Sequence, residues 1–324
     1  MPERSEVVSL SDSTPALPGG KGFAALAFGL AAIMAVVLTS GMDGATLLAT
    51  LSRLPPWAYA PITLLQVTMV CLAAWKWRRM LRDLSGGAYR LPLRSAVAAT
   101  TLGTLAGQAM PIQIVTPAVR TVWARRSAIP VGPALASSLF EQVFDLLALA
   151  GLVLTLLLTA GTGAAPAGIA ALAIAVSLTL TILIRPLLRL AGQMAHPVLP
   201  GLSQGMTKAA SMPLGGLSAQ MAISLLRIAI ISVLTVGVLT LLAPGVDPRP
   251  LILALPLLQL ASAFPLVPAG LGLVEAGWSG LLVAQGIDPG AAVATAVALR
   301  IVTTGPFLVV APLMILIGAR GVQR

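Results

Sequence analysis

The 324-residue chain has one histidine, one cysteine and 4% aromatic residues, and only 9% of it is charged. With His196 alone, a histidine-based zinc cluster or a histidine relay is excluded, and the residue reads as part of an interfacial loop. With Cys71 alone, an intrachain disulfide is excluded, and its place inside an apolar run assigns it to packing. No Gly-x-x-x-x-Gly-Lys-Ser/Thr sequence occurs, so direct ATP drive from this chain is not expected. No polar stretch reaches the roughly 50 residues that a domain needs, which argues against an appended catalytic domain. The expectation is therefore a non-enzyme with no catalytic residues, no metal and no cofactor. A cleavable signal would open with a basic region. Residues 1–20 instead hold Glu3, Glu6 and Asp12 among Ser, Pro and Gly, and Lys21 leads directly into the first apolar run.

What the chain has in quantity is apolar surface, at 57% of residues. The apolar runs are continuous rather than alternating, which predicts a helical integral membrane protein and not a barrel. The basic excess, 20 Lys+Arg against 10 Asp+Glu, gathers at segment ends. That is the distribution of a cytoplasmic membrane face, not of a nucleic-acid binder.

Full spans are expected at Gly22–Ser40, Trp57–Trp75, Gly132–Ala160, Ala167–Ile184, Ala219–Ala243 and Ala291–Gly318. Residues 41–56 read as a short loop. The stretch 76–94, with Lys76, Arg78, Arg79, Arg82, Arg90 and Arg94 against Asp83, reads as a cytoplasmic loop, which places the N-terminus inside as well. The turns 161–166, 244–250 and 286–290 read as external, and residues 185–218 as an internal interfacial segment.

Two apolar stretches do not suit a single unbroken helix. The first, 95–120, has basic residues at both ends and carries Gly103, Gly107, Pro111 and Pro117 as breakers. The second, 251–285, contains Pro265, Pro268, Gly270 and Gly272, followed by Glu275. Broken backbone at membrane depth survives only where protein or a water-filled cavity surrounds it. One reading is a Pro-kinked helix or two spans joined by a turn. The other is a pair of re-entrant hairpins, with Glu275 opening a half-helix whose positive dipole end favours an anion. On the second reading the hairpins open to opposite sides, and each is followed by a long span with charge at mid-depth. The expected architecture is then all-α and polytopic, with six full spans and two oppositely oriented broken-helix hairpins forming an inverted repeat. One transmembrane domain would cover 21–320 between cytoplasmic tails 1–20 and 321–324.

The residues that carry charge into this architecture are few. Glu141 and Asp145 are four apart and share a helix face, roughly 13–20 Å into their span at about 1.5 Å per residue. Arg300 and Arg227 lie inside other spans, and Arg120 at the mouth of the first hairpin. The expected pairing is Glu141 or Asp145 with Arg300 or Arg120, with Glu275 facing the same cavity. Arg227 is a secondary candidate that the spacing also allows to snorkel to the interface. A polar staple holding helices together is the alternative role for the whole set.

Three segments together resemble the flippase-like transmembrane region of the lysylphosphatidylglycerol synthases, from about Trp57 to Gly318. The first is Pro111 to Arg120, with Thr116-Pro117 where that family has Gly-Glu. The second is Glu141-Gln142-Val143-Phe144-Asp145, with Gln142 in place of an arginine. The third is Pro265 through Glu275, a Pro-x-x-Pro-x-Gly-x-Gly-x-x-Glu run with Ala269 in place of one glycine, and Arg300 follows as the late arginine. The resemblance implies movement of a phospholipid or related amphiphile between leaflets of the cytoplasmic (inner) membrane. The missing acid at 117 and base at 142 bear on which headgroup is handled. Membrane lipids with an anionic or zwitterionic headgroup are the expected partners, and a separately encoded lipid-modifying enzyme is a further one. An ion- or proton-coupled transporter of a small solute, and a non-transporting partner of such an enzyme, are the alternatives. Gly201-Leu202-Ser203-Gln204-Gly205 fits a nucleophile elbow by spacing, but the only histidine precedes it, so hydrolase chemistry is rejected.

Overall fold

The computed structural model describes residues 44–108, 110–159, 162, 165–195, 200–263 and 272–319, and every element among them is helical. In chain order these are α1 (Gly44–Leu51), α2 (Tyr59–Leu84), α3 (Leu93–Ala106), α4 (Ile112–Arg125), α5 (Val131–Thr159) and α6 (Pro166–Ala195). Then come α7 (Pro200–Ala210), α8 (Leu214–Leu242), α9 (Pro248–Ser262), α10 (Leu273–Ala284) and α11 (Pro289–Ala319). The expected first span, both tails, His196, Pro265, Pro268, Gly270 and half of the turn 161–166 lie outside the described residues.

Five stretches are long and apolar enough to cross a bilayer: Pro56–Leu84, Val131–Thr159, Ala167–Met194, Leu214–Leu242 and Pro289–Gly318. A span needs about 20 apolar residues, and each of these exceeds that. The protein is a multi-pass membrane protein.

The two broken stretches form pairs of shorter helices. α3 and α4 have 14 residues each, and α9 and α10 have 15 and 12, so none reaches span length. In the first pair the chain leaves α3 at Gly107 and enters α4 after Pro111. A Cβ on Gly107 would stand 2.8 Å from Ile112, and one on Gly103 would stand 3.2 Å from the Thr116 backbone. The two arms therefore touch through glycine. Pro117 and Gly103, expected as breakers, lie inside helices instead: Pro117 is the sixth residue of α4 and buried. Lacking an N–H, it leaves the Gln113 carbonyl without its intrahelical donor, a local defect rather than an end. In the second pair Gly277 of α10 packs closely on Leu258 of α9.

Each pair leans on a long helix from the other half of the chain. α3 packs on α11, where Gly318 meets Ala98 and the Arg94 carbonyl, and α9 packs on α5. Small residues at such crossings let backbones approach closely, the usual means of helix association in lipid. The largest buried apolar cluster joins α1, α8, α9, α10 and α11 through Leu47, Leu239, Leu251, Trp278 and Val297.

Three stretches depart from the expected loops. Residues 44–51 form α1, whose Leu47 packs into that cluster, and just beyond it Arg53 donates to the Leu242 carbonyl at 3.0 Å, closing the end of α8. Residues 76–84 continue α2 rather than starting a cytoplasmic loop, because Trp77, Met80, Leu81 and Leu84 extend its buried face. Residues 200–210 form α7, seated against α5 where Gly205 meets Ala136. Ser203 is buried inside that helix, a setting without the strand-to-helix turn of a nucleophile elbow.

Candidate functional site

α5 places Glu141 and Asp145 one turn apart, about 15 and 21 Å from its start. Around them stand three cations from three other helices. Arg120 of α4 donates through a terminal nitrogen to Glu141 Oε2, and both side chains are almost wholly buried. Arg120 also donates to Thr100 Oγ1 (3.2 Å), Ser138 Oγ (3.3 Å) and the Ala73 carbonyl (3.4 Å), and its guanidinium lies 5.0 Å from the centre of the Trp77 ring. Trp77 is itself fixed by its Nε1 donating to Ser137 Oγ at 3.0 Å. Every face of this guanidinium is therefore engaged, which is what a charge in low dielectric requires.

Lys76 of α2 is fully buried and donates to Asp145 Oδ1 at 2.6 Å and to the Glu141 carbonyl at 2.8 Å. Arg227 of α8 reaches Asp145 Oδ2 at 2.6 Å and stands 3.6 Å from Glu141 Oε1. α8 begins at Leu214, five residues before the expected start, so Arg227 lies about 20 Å along it and is tied into the interior instead of snorkelling. Three formal cations face two carboxylates, which leaves the cluster with one excess positive charge.

The cluster is graded from closed to open. Glu141 and Arg120 are 3% and 2% exposed, whereas the Arg227 and Asp145 side chains are 21% and 28% exposed. At the open side, Arg227 Nε is buried without a hydrogen-bond partner. On the same face of α8, one and two turns earlier, stand Ser224 and Gln220. Gln220 is fully buried, and neither its amide oxygen nor its nitrogen has a partner. Gln142 is half-buried and makes no side-chain hydrogen bond in the cluster.

The second charge pair sits at the start of α10. Gly272, with φ of 82°, is the residue before the helix, a backbone setting that L side chains avoid. Glu275 Oε2 accepts from the Gly272 amide at 2.7 Å and so caps the helix, while its Oε1 accepts from Arg300 Nε of α11. One buried carboxylate thus closes a helix start and ties a short arm to a long span. The two pairs mirror each other in composition. In the first the base is on the short arm (Arg120) and the acid on the long helix (Glu141), and in the second the acid is on the short arm (Glu275) and the base on the long helix (Arg300).

The structure thus joins Arg120 with Glu141, Arg227 with Asp145, and Glu275 with Arg300. Pro111 marks the start of α4, and Gly272 that of α10. Lys76 and the buried, unpartnered Gln220 are not legible in the sequence. In the sequence Lys76 reads as one with the arginines that follow it, although helical spacing sets positions 78 and 82 on the opposite side of α2 from position 76. Gln220 carries no sequence signal beyond its i, i+7 relation to Arg227.

Neither the curated proteins nor the solved structures contain a match to this chain. One family model does match, the lysylphosphatidylglycerol synthase TM region, over residues 23–311, which takes in both charge pairs and both pairs of short helices. The chain belongs to the family of the lysylphosphatidylglycerol synthase transmembrane region.

Proposed function

We propose that the protein moves a phospholipid or related amphiphilic lipid between the leaflets of the cytoplasmic membrane, without altering it chemically. The observation that carries this reading is the five-residue charge cluster built from α2, α4, α5 and α8. Each ion at bilayer depth costs about 2.5–3.5 kcal/mol on insertion scales. A staple needs no excess charge and no solvent-reachable edge, yet the cluster has both at Arg227 and Asp145, where Arg227 Nε is also without a partner. A phosphate is drawn to the guanidinium, and an amine, where the headgroup has one, to the carboxylate. The acyl chains stay in the bilayer while the head passes the polar edge. Family membership supports a lipid-handling role.

Two short-armed hairpins, each packed on the other half's long helix, support the further reading of an inverted repeat with both termini cytoplasmic. The test is reconstitution into sealed vesicles carrying a fluorescent lipid that a membrane-impermeant quencher bleaches. Loss of fluorescence beyond the outer-leaflet half is the expected result. Uptake of an aqueous solute without lipid movement would favour the small-solute transporter. Neither activity, with co-purification of a lipid-modifying enzyme, would favour the non-transporting partner.

A further inference from the structure

Four arginines converge at the far end of α2, within two turns beyond Lys76 of the charge cluster. Arg78, Arg79, Arg82 and Arg90 line a cavity of about 390 Å³, with Trp75 and Tyr89 at its wall. Arg78 Nε donates to the Leu91 carbonyl at 2.7 Å, which folds the 85–92 turn back over the helix end and brings Arg90 to the pocket. The only carboxylate in ion-pair reach of the four, among the described residues, is Asp83. Arg82 lies 3.3 Å from it and Arg79 3.6 Å. Arg78 and Arg90 have no ion-pair partner among the described residues, so the pocket holds a large uncompensated positive charge.

Its depth is set by α2. Trp57 precedes the helix and is exposed, as an interfacial residue would be. About 20 residues of helix cross the hydrocarbon, which puts the opposite boundary near Trp77 and Arg78. Trp75 is again exposed there. The arginines therefore sit at headgroup level, with Trp75 on the hydrocarbon side. A soluble anion would have no use for that apolar wall, whereas a lipid meets it with its glycerol and upper acyl carbons.

We propose that this pocket docks the phosphodiester headgroup of an anionic phospholipid from the leaflet on that side. The four arginines share no ion pair with the neighbouring charge cluster, and the proposal does not rest on the translocation reading. Arginine suits it because its planar fork binds two phosphate oxygens at once. Arg82 and Arg90 are exposed, so their substitution leaves the helix packing intact.

The experiment is native mass spectrometry of the full chain in a neutral detergent, titrated with dioleoylphosphatidylglycerol or dioleoylphosphatidylcholine. Phosphatidylglycerol should be retained about tenfold more tightly, and R82Q/R90Q should remove most of that preference. R82K/R90K, which keeps the charge, should bind with much of the wild-type selectivity. R125Q/R126Q removes the same charge from exposed arginines at the end of α4 and should leave binding unchanged. Equal loss in R125Q/R126Q would mean that overall charge, not the pocket, holds the lipid, and would overturn the proposal. So would equal retention of the two lipids, wild-type binding by R82Q/R90Q, or displacement by glycerol phosphate at the lipid's own concentration.

Discussion

Gln113, at the start of α4, donates through Nε2 to the carbonyl of Ser262 at the end of α9, 3.0 Å away. The two short-helix pairs are thus joined at their breaks, where each has left its first or is entering its second arm. On the transport reading this is where the two halves must move past each other. Cysteines at 113 and 262 in a Cys71→Ala background, bridged by a short bis-maleimide, should stop lipid movement in vesicles. Each single-cysteine protein treated the same way should keep it. Undiminished movement in the bridged protein would mean that the contact is static.

Arg120 and Glu141 are a buried pair, and breaking one side of such a pair costs roughly 3–5 kcal/mol because a charge is left alone. We predict that Arg120→Gln lowers the yield of folded protein and its thermal midpoint, and that Arg120→Gln with Glu141→Gln recovers both. Lipid movement should stay lost in the double variant. Recovery of movement there would assign the pair to stability alone.

Lys76 and Arg227 share Asp145, yet they should behave differently. Lys76→Met removes a fully buried ammonium that bridges Asp145 to the Glu141 carbonyl, so the main loss should be stability, again roughly 3–5 kcal/mol. Arg227→Gln acts at the open edge and should reduce transport more than thermal midpoint. The reverse ranking, read by a thermal shift assay beside the vesicle assay, would contradict the graded cluster.

Gly272→Ala tests the cap. Its positive φ makes any side chain strained, at a cost of about 1–3 kcal/mol, and the Gly272 amide is the one that Glu275 accepts from. The expected outcome is a lower thermal midpoint, and Glu275→Gln should show the same direction with the Arg300 contact weakened as well.

The basic residues predict a topology. In a Cys71→Ala background, Ala88→Cys should react with an impermeant thiol reagent only from the cytoplasmic side, and Asp288→Cys only from outside. A label reaching position 288 from the cytoplasm would remove the oppositely oriented hairpins.

The sequence is most legible where chemistry and spacing coincide. Glu141 and Asp145 stand out because two acids four apart inside an apolar run have no bland explanation, and the Pro and Gly content of 95–120 marks a break that the structure has at Gly107–Pro111. Exact breakers are less legible. Pro117 reads as an end but lies inside α4, whose Thr116 packs on Gly103 of the facing arm. Lys76 is hidden by its neighbours: a run of basic residues reads as a loop, and only the burial of Trp77 and Met80 shows that the helix goes on. α7 is hidden by Pro200, Gly201 and Gly205, which suggest a loop until Gly205 is seen against Ala136. For α7 and for Trp77 the deciding partners, Ala136 and Ser137, are far along the chain, where local pattern has no reach.

The crossed packing of α3 on α11 and α9 on α5 also bears on the order of synthesis. α3 leaves the ribosome when only the first part of the chain exists, and the helix that receives its alanine seam is made about 190 residues later. Until then Ala98 and the Arg94 carbonyl have no neighbour at Gly318. α9 meets no such delay, since α5 already waits for it. The first hairpin is thus the part that an insertase must shelter longest, and truncation before Pro289 should leave it the first target of a membrane protease.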